Sequence, residues 1–333
     1  MILVRLDRHD VGDSSSYNAA MRLCSLILVA PLLFATAAGA REYALTPDSD
    51  IIGEIEVIRS VYEDTFIGLA RRYDVGYDEL RQANPDVDPW LPGEGTEIVI
   101  PTRYVLPDVP RRGIVLNIPE YRLYYFPDDE ARVITHPIGI GRQGWNTPYG
   151  RTTVVSKSAR PTWYPPESIR AEHAARGDPL PSVVPPGPDN PLGDFALRLG
   201  FPSYLIHGTN DPRGVGMRVS HGCIRMFPED IEALFQMVGS GVPVTIVNQP
   251  YKLGWGENGL FLEAHPPLIE ESEQWTVTEL TRLFVAATDE RRAEVRWRQA
   301  EAVILEGSGM PEFVSVEGSV TIAELADEAQ TKK

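Results

Sequence analysis

Cysteine is almost missing from this chain: 333 residues hold only Cys24 and Cys223. No disulfide framework can therefore staple the fold. Basic charge is also short, with 31 Lys and Arg against 47 Asp and Glu and a net charge of -16. No basic stripe is left to neutralise phosphates, which excludes nucleic acid as a partner. Long apolar runs are lacking too, since the longest, Leu23 to Ala37, is too short for a membrane span. What is present is ordinary for a soluble chain, 43% hydrophobic and 23% charged residues, enough for two or three modest domains with a real core.

Residues 1–40 read as a targeting region. Met21-Arg22, the apolar run and the small residues Ala38-Gly39-Ala40 follow the order of a secretory signal, with Met21 as the expected true start. A permanent N-terminal anchor is the alternative; with cleavage, no stable membrane span remains. Cys24 lies inside this region, at the start of the apolar run, which does not suit a lipoprotein cysteine. The mature chain then carries one thiol, Cys223, in an exported compartment. A lone thiol exposed to oxidation points toward catalysis.

Residues 53–101 predict a small strand, helix, helix, strand unit. Thr65 can cap a helix with Phe66, Leu69, Ala70 and Tyr73 on one face, a second helix runs near Asp78 to Ala83, Asn84-Pro85 breaks it, and Glu97 to Pro101 closes as a strand. This βααβ order, with Asp64-Thr65, Leu69 to Tyr73, Leu80, Ala83-Asn84-Pro85 and Pro92-Gly93, resembles a LysM module. The resemblance implies binding of N-acetylglucosamine-containing glycans such as peptidoglycan. A small domain that merely spaces the enzyme from the membrane is the plainer alternative.

After a Pro-containing linker, Tyr104 to Arg111, residues 104–248 switch to period two. Ile114 to Ile118 and Tyr121 to Phe126 flank Pro119-Glu120 as a hairpin, and further strand-like runs follow at Arg132 to Ile140, Arg151 to Ser156, Ala196 to Leu199, Ser203 to Ile206 and Val242 to Val247. One helix starts at Pro228 and ends before Gly239. The expectation is a mainly β domain with one packed helix. Ser158 to Gly193, rich in proline and carrying Trp163, Tyr164 and a helical stretch near Glu167 to Arg176, reads as a lid. His173 within it reads as a surface histidine. Residues 251–333 form an acidic, partly helical C-terminal extension, with 16 Asp or Glu against 8 Lys or Arg and helices at Thr276 to Ala287 and Asp289 to Leu305.

The chemistry concentrates in Ser220-His221-Gly222-Cys223-Ile224-Arg225, with His207-Gly208-Thr209-Asn210 upstream. A thiol near its ordinary pKa of about 8.5 is a few per cent thiolate at neutral pH, so a nucleophilic Cys223 needs a base. His221, two residues away, shares its side of an extended strand but is strained for direct contact. His207, ending a separate strand, is the preferred base, with the Gly208 carbonyl as a partner fixing its tautomer. The N–H groups of Gly222 and Cys223 are candidate oxyanion donors. Two other readings compete: a zinc site of two histidines and the thiolate, lacking further ligands at suitable spacing, and a Cys223 that is simply a buried small hydrophobe. No metal and no cofactor are expected.

Ile206 to Asn210 followed by Arg218 to Met226 resembles the active-site signature of the YkuD family of L,D-transpeptidases, in particular its periplasmic branch with an N-terminal LysM module. Thr147-Pro148-Tyr149-Gly150 and Pro186 to Gly193 add to the match. The resemblance implies a YkuD-like β-sandwich or barrel that acts in the periplasm on peptidoglycan stem peptides. Cys223 would take the acyl group of a tetrapeptide donor as a thioester and pass it to an amine, on a second stem or on an anchored protein. It further implies His207 as base, Gly208 as its carbonyl partner, His221 and Gly222 on the oxyanion side, and Ser220 and Arg225 shaping the site. Arg225 can meet a stem carboxylate or form a structural ion pair. Hydrolysis of the same thioester and a non-catalytic wall-binding role are the alternatives.

Overall fold

The computed structural model describes residues 41–128, 130–289, 291 and 293–316. The expected signal region and its Met21 start lie outside them. Among the described residues no helix is long and apolar enough to cross a membrane.

The strand, helix, helix, strand order is seen over Glu56–Arg59, α1 (Phe66–Tyr73), α2 (Tyr77–Ala83) and Glu97–Ile100, the two strands pairing antiparallel. Thr65 caps α1, its Oγ1 accepting from the Gly68 N–H at 3.2 Å. Asp74 ends the helix in the left-handed region, φ 52°, two residues before Gly76. Phe66, Leu69, Leu80, Ile98 and Ile100 are fully buried between helices and strands. Each such side chain contributes about 1.5–3 kcal/mol.

This unit is clamped to the rest of the chain. Arg122, wholly buried in the main sheet, donates to Glu79 of α2 at 2.6 Å. The Asp78 N–H donates to the Gly216 carbonyl at 3.1 Å. Gly216 has φ +75° and so little room that a Cβ would stand 2.3 Å from the Gly76 Cα. Glycine is required there on both counts.

The main sheet has nine strands, in spatial order Arg41–Ala44, Arg132–Pro137, Arg122–Phe126, Gly113–Asn117, Pro243–Val247, Gly150–Ala159, Phe195–Leu199, Leu205–His207 and Ile224–Arg225. The hairpin around Pro119-Glu120 holds the register Asn117↔Arg122. Strand Gly150–Ala159 pairs first with Pro243–Val247 and then, from Val154 onward, with Phe195–Leu199, the register shifting between Val154 and Ser156. A bulge of this kind bends a strand and curls the sheet. The segment expected to be a lid, 158–193, carries α3 (Glu167–Ala175), and α4 (Pro228–Met237) lays Ile231 and Leu234 against Leu197, Ile206 and Ile224 in the main core.

Three expectations need correction. Arg103–Val105 is not a linker: it is a strand paired with Ile51–Gly53, and Tyr104 is 1% exposed. The main sheet does not begin after residue 104, because Arg41–Ala44 is its edge strand. Beside the packed α4 the domain carries α3, where the helical stretch near Glu167 to Arg176 is expected. The C-terminal region is not simply helical, since Tyr251–Gly256, Gly259–Ala264 and Glu312–Phe313 form an antiparallel sheet, beside which lie α5 (Val277–Ala287) and α6 (Trp297–Glu306). The second helix thus starts at Trp297 instead of Asp289. The alternation of the hairpin was hidden by buried charge: Lys252 Nζ lies 2.8 Å from Glu120 and 2.7 Å from Glu263, all three fully buried.

Candidate active site

Of two neighbouring strands, one ends in the predicted base and the other begins one residue after the predicted nucleophile. Leu205–His207 and Ile224–Arg225 run parallel with Ile206 opposite Ile224 and His207 opposite Arg225. The antiparallel strand Phe195–Leu199 holds the other edge, Ala196 opposite His207. The Met226 N–H donates to the His207 carbonyl at 2.9 Å and the Gly208 N–H to the Phe195 carbonyl at 3.1 Å. The imidazole therefore hangs from a backbone bonded on both sides.

His207 is 4% exposed, and its Nδ1 lies 2.6 Å from the Gly208 carbonyl oxygen. A carbonyl only accepts, so Nδ1 carries the hydrogen and Nε2 keeps its lone pair. That is the tautomer a proton acceptor needs. Burial pushes the imidazole down to about 4, the Arg225 charge adds to this, and the Gly208 bond opposes it only in part. His207 is neutral at physiological pH.

Cys223 is half-buried and its thiol donates to the Ser203 carbonyl at 3.6 Å. Ser203 itself sits at φ +68°, a conformation non-glycine residues seldom adopt. Burial raises the thiol pKa above its ordinary value, against smaller downward pulls from the Leu205 backbone N–H and the Arg225 charge. The resting thiol is protonated.

Gly222 has φ +102°, and a Cβ there would stand 3.0 Å from the Tyr204 ring. Glycine thus lets the turn before the thiol close. Its N–H, however, donates to Ser220 Oγ at 3.1 Å, while that hydroxyl donates to the Cys223 carbonyl at 2.6 Å. Two expectations change with this. Ser220, 3% exposed, braces the turn instead of facing substrate, and the Gly222 N–H is already engaged, which leaves the Cys223 N–H as the candidate oxyanion donor. Thr147 also braces the turn, donating to the Gly222 carbonyl at 2.9 Å.

His221 lies against Arg142, Trp145 and the α3 helix. Its Nε2 lies 3.1 Å from Arg142 Nη2 and 3.4 Å from Glu172 Oε2, and its ring meets the Trp145 ring edge-on at 4.8 Å. A guanidinium only donates, so His221 Nε2 accepts. Burial and the Arg142 charge lower its pKa, with Glu172 opposing. Arg225 makes no ion pair among the described residues, and its buried Nε has no hydrogen-bond partner. Of its two expected roles, the structural ion pair is not formed. His173 is nearer the site than expected, its ring 6.3 Å from that of His221.

Arg142, Trp145 and Glu172 are the residues that sequence reasoning missed. Thr147-Pro148 drew attention to their loop, and the helical stretch of the lid to Glu172, but nothing in either stretch showed the two meeting at His221. Among the described residues, two groups could bring three metal-ligating atoms together, Asp74-His136-Asp230 and Glu120-Glu263-His265, and neither contains Cys223, His207 or His221.

A thiol in the turn that leads into strand Ile224–Arg225, which pairs with the strand ending in a buried imidazole whose Nε2 lone pair is free, is the equipment of a cysteine acyl-transfer enzyme. Residues 111–246 match the YkuD family model, described as the L,D-transpeptidase catalytic domain. The chain is 40% identical over 286 residues to the probable L,D-transpeptidase YbiS of Escherichia coli K12, covering 84% of this chain and 93% of that protein. It is 38% identical over 309 residues to the probable L,D-transpeptidase ErfK/SrfK of the same strain, covering 89% and 98%. A shorter match to the probable L,D-transpeptidase YcfS, also from that strain, is 50% identical over 208 residues, 61% of this chain and 65% of that protein, just under two thirds of its length. The NMR structure of the catalytic domain from an E. faecium L,D-transpeptidase is 22% identical, covers 42% of this chain and 100% of that chain, and has a TM-score of 0.33. The chain belongs to the YkuD family of L,D-transpeptidases.

Proposed function

We propose that this protein is a periplasmic L,D-transpeptidase of peptidoglycan stem peptides, with Cys223 as nucleophile and His207 as base. Cys223 Sγ attacks the carbonyl of the third-position diamino acid as His207 Nε2 takes the thiol proton. The peptide bond to the terminal D-Ala breaks, its nitrogen leaves with that proton, and the stem remains as a thioester. An amine from a second stem or an anchored protein attacks the thioester carbonyl, gives a proton to His207, and restores the thiol. The Cys223 N–H is suited to the oxyanion in both steps. Arg225, with its unpaired buried Nε, is left to receive a stem carboxylate, while Ser220 and Gly222 hold the turn. Residues 53–101 act as a LysM-like glycan binder beside the site, and residues 1–40 as the export signal.

The observation that carries this reading is the Nδ1 contact of His207 with the Gly208 carbonyl, which leaves Nε2 as a proton acceptor in a buried site. Incubating the purified mature protein with disaccharide tetrapeptides, with and without an added acceptor amine, tests it. Mass spectrometry should find dimers joined between two diamino acids, or the amine adduct, together with released D-Ala, and none of these with Cys223→Ala. Release of D-Ala without any adduct would establish a hydrolase. Identical products from wild type and Cys223→Ala would leave only the wall-binding role.

A further inference from the structure

We propose that Arg142, its guanidinium steadied by a bond to His221 Nε2, forms a carboxylate-binding subsite beside the nucleophile, and that Glu172 of α3 is its resident occupant, exchanged for a carboxylate of the peptide donor when it binds. The proposal rests on the acyl-transfer reading above and names what that site recognises.

The receptor is braced by several hydrogen bonds and the occupant by little besides its ion pairs. The Arg142 N–H donates to the Ser220 carbonyl at 3.0 Å, and the Trp145 N–H to the Arg142 carbonyl at 2.8 Å. The loop from Arg142 to Thr147 is thereby tied to the Ser220–Gly222 turn, with Thr147 adding its bond to the Gly222 carbonyl. Arg142 Nη2 reaches the two Glu172 oxygens at 2.6 and 2.5 Å, and His221 Nε2 lies 3.4 Å from Oε2. Arg176 lies 3.1 Å from Glu172 Oε1. By contrast α3 buries one residue, Ile169, so little packing holds it besides this ion pair.

A carboxylate thus sits on a guanidinium that the imidazole two residues before the thiol holds in place, and it belongs to a helix that buries a single residue. A donor that ends in D-Ala carries a carboxylate one residue from the carbonyl under attack. A protein of net charge -16 repels such a donor at long range and needs a local cation to seat it. Arg142 supplies that cation, and Glu172 keeps it neutralised until the donor arrives.

The test is a binding series on Cys223→Ala protein, which needs no turnover. Tetrapeptide donors with free carboxylates, with the terminal carboxylate as carboxamide, and with the diamino-acid carboxylate as carboxamide are titrated calorimetrically. One of the two carboxamides is expected to bind about tenfold more weakly than the free acid, and adding Arg142→Gln should make it and the acid bind alike. Adding Glu172→Gln should tighten the free acid by about threefold to tenfold. Arg142→Lys keeps charge without the fork and should retain part of the discrimination, which guards against a Gln variant that fails to fold. In the active enzyme Arg142→Gln should raise KM and leave kcat nearly unchanged. Unchanged discrimination in Arg142→Gln, or a Glu172→Gln that binds the acid no tighter, overturns the subsite. If wild type forms neither thioester nor adduct, the transpeptidase reading falls while this series still decides the subsite.

Discussion

The protonation state of the resting site can be tested through thiol reactivity against pH. With His207 pushed down to about 4, only about one imidazole in a thousand is protonated at pH 7. Burial raises Cys223 above its ordinary value, so its thiolate fraction at that pH falls below the few per cent of a free thiol. The pair is thus thiol and imidazole, not thiolate and imidazolium, and attack on a carbonyl must move the proton as the S–C bond forms. Alkylation by iodoacetamide, which reads thiolate alone, should rise about tenfold per pH unit from pH 5 to above pH 9 without levelling. His207→Gln should barely change that profile, yet should lower acyl transfer by about 10²–10⁴-fold, the range of a lost general base. An alkylation rate that plateaus between pH 5 and 8, and loses the plateau in His207→Gln, would show a preformed ion pair and refute the reasoning.

Two further outcomes follow from buried charge. Arg122 and Glu79 are 0% and 3% exposed at the side chain, so Glu79→Gln leaves a buried guanidinium without its counter-charge and should cost about 3–5 kcal/mol, read by urea unfolding, with the 53–101 unit becoming the first site of limited proteolysis. His207 has a folded pKa below its unfolded value of about 6.5, so the stability it contributes is full above pH 6.5 and is lost as pH falls to about 4. The loss reaches about 3 kcal/mol; relative to wild type, His207→Gln should therefore gain stability over that window, and a difference constant from pH 7 to pH 4 would contradict the depressed pKa.

What the sequence revealed and what it concealed divide along a physical line. Apolar periodicity with clear punctuation was readable: the hairpin at Pro119-Glu120, the Thr65 cap on α1 and the Pro228 start of α4 all stand where the pattern puts them. Local geometry was readable too, because His207 and Gly208 are adjacent and their contact needs no tertiary knowledge. Concealed were elements whose inward faces are charged. Lys252 and Glu263 are buried against Glu120, so the strands Tyr251–Gly256 and Gly259–Ala264 lack the polar-out pattern that marks a strand. Arg41–Ala44 was concealed by distance, since its partner strand lies some ninety residues on and the clamped 53–101 unit intervenes. The Arg142–Glu172 pair spans thirty residues and was invisible for the same reason.

The same topology that joins base and nucleophile also sets their resting chemistry. A parallel pairing places His207 opposite Arg225, so the cation nearest the imidazole works against its protonation, and the sheet on either side excludes water from it. Burial then acts on both partners toward neutrality, lowering the imidazole and raising the thiol, and it outweighs the pull of Arg225 on the sulfur. A neutral pair costs reactivity at rest and protects the thiol, because oxidants react with thiolate. For a cysteine nucleophile expected to work outside the reducing cytoplasm, a site that ionises its sulfur only as a carbonyl arrives meets both demands with one arrangement.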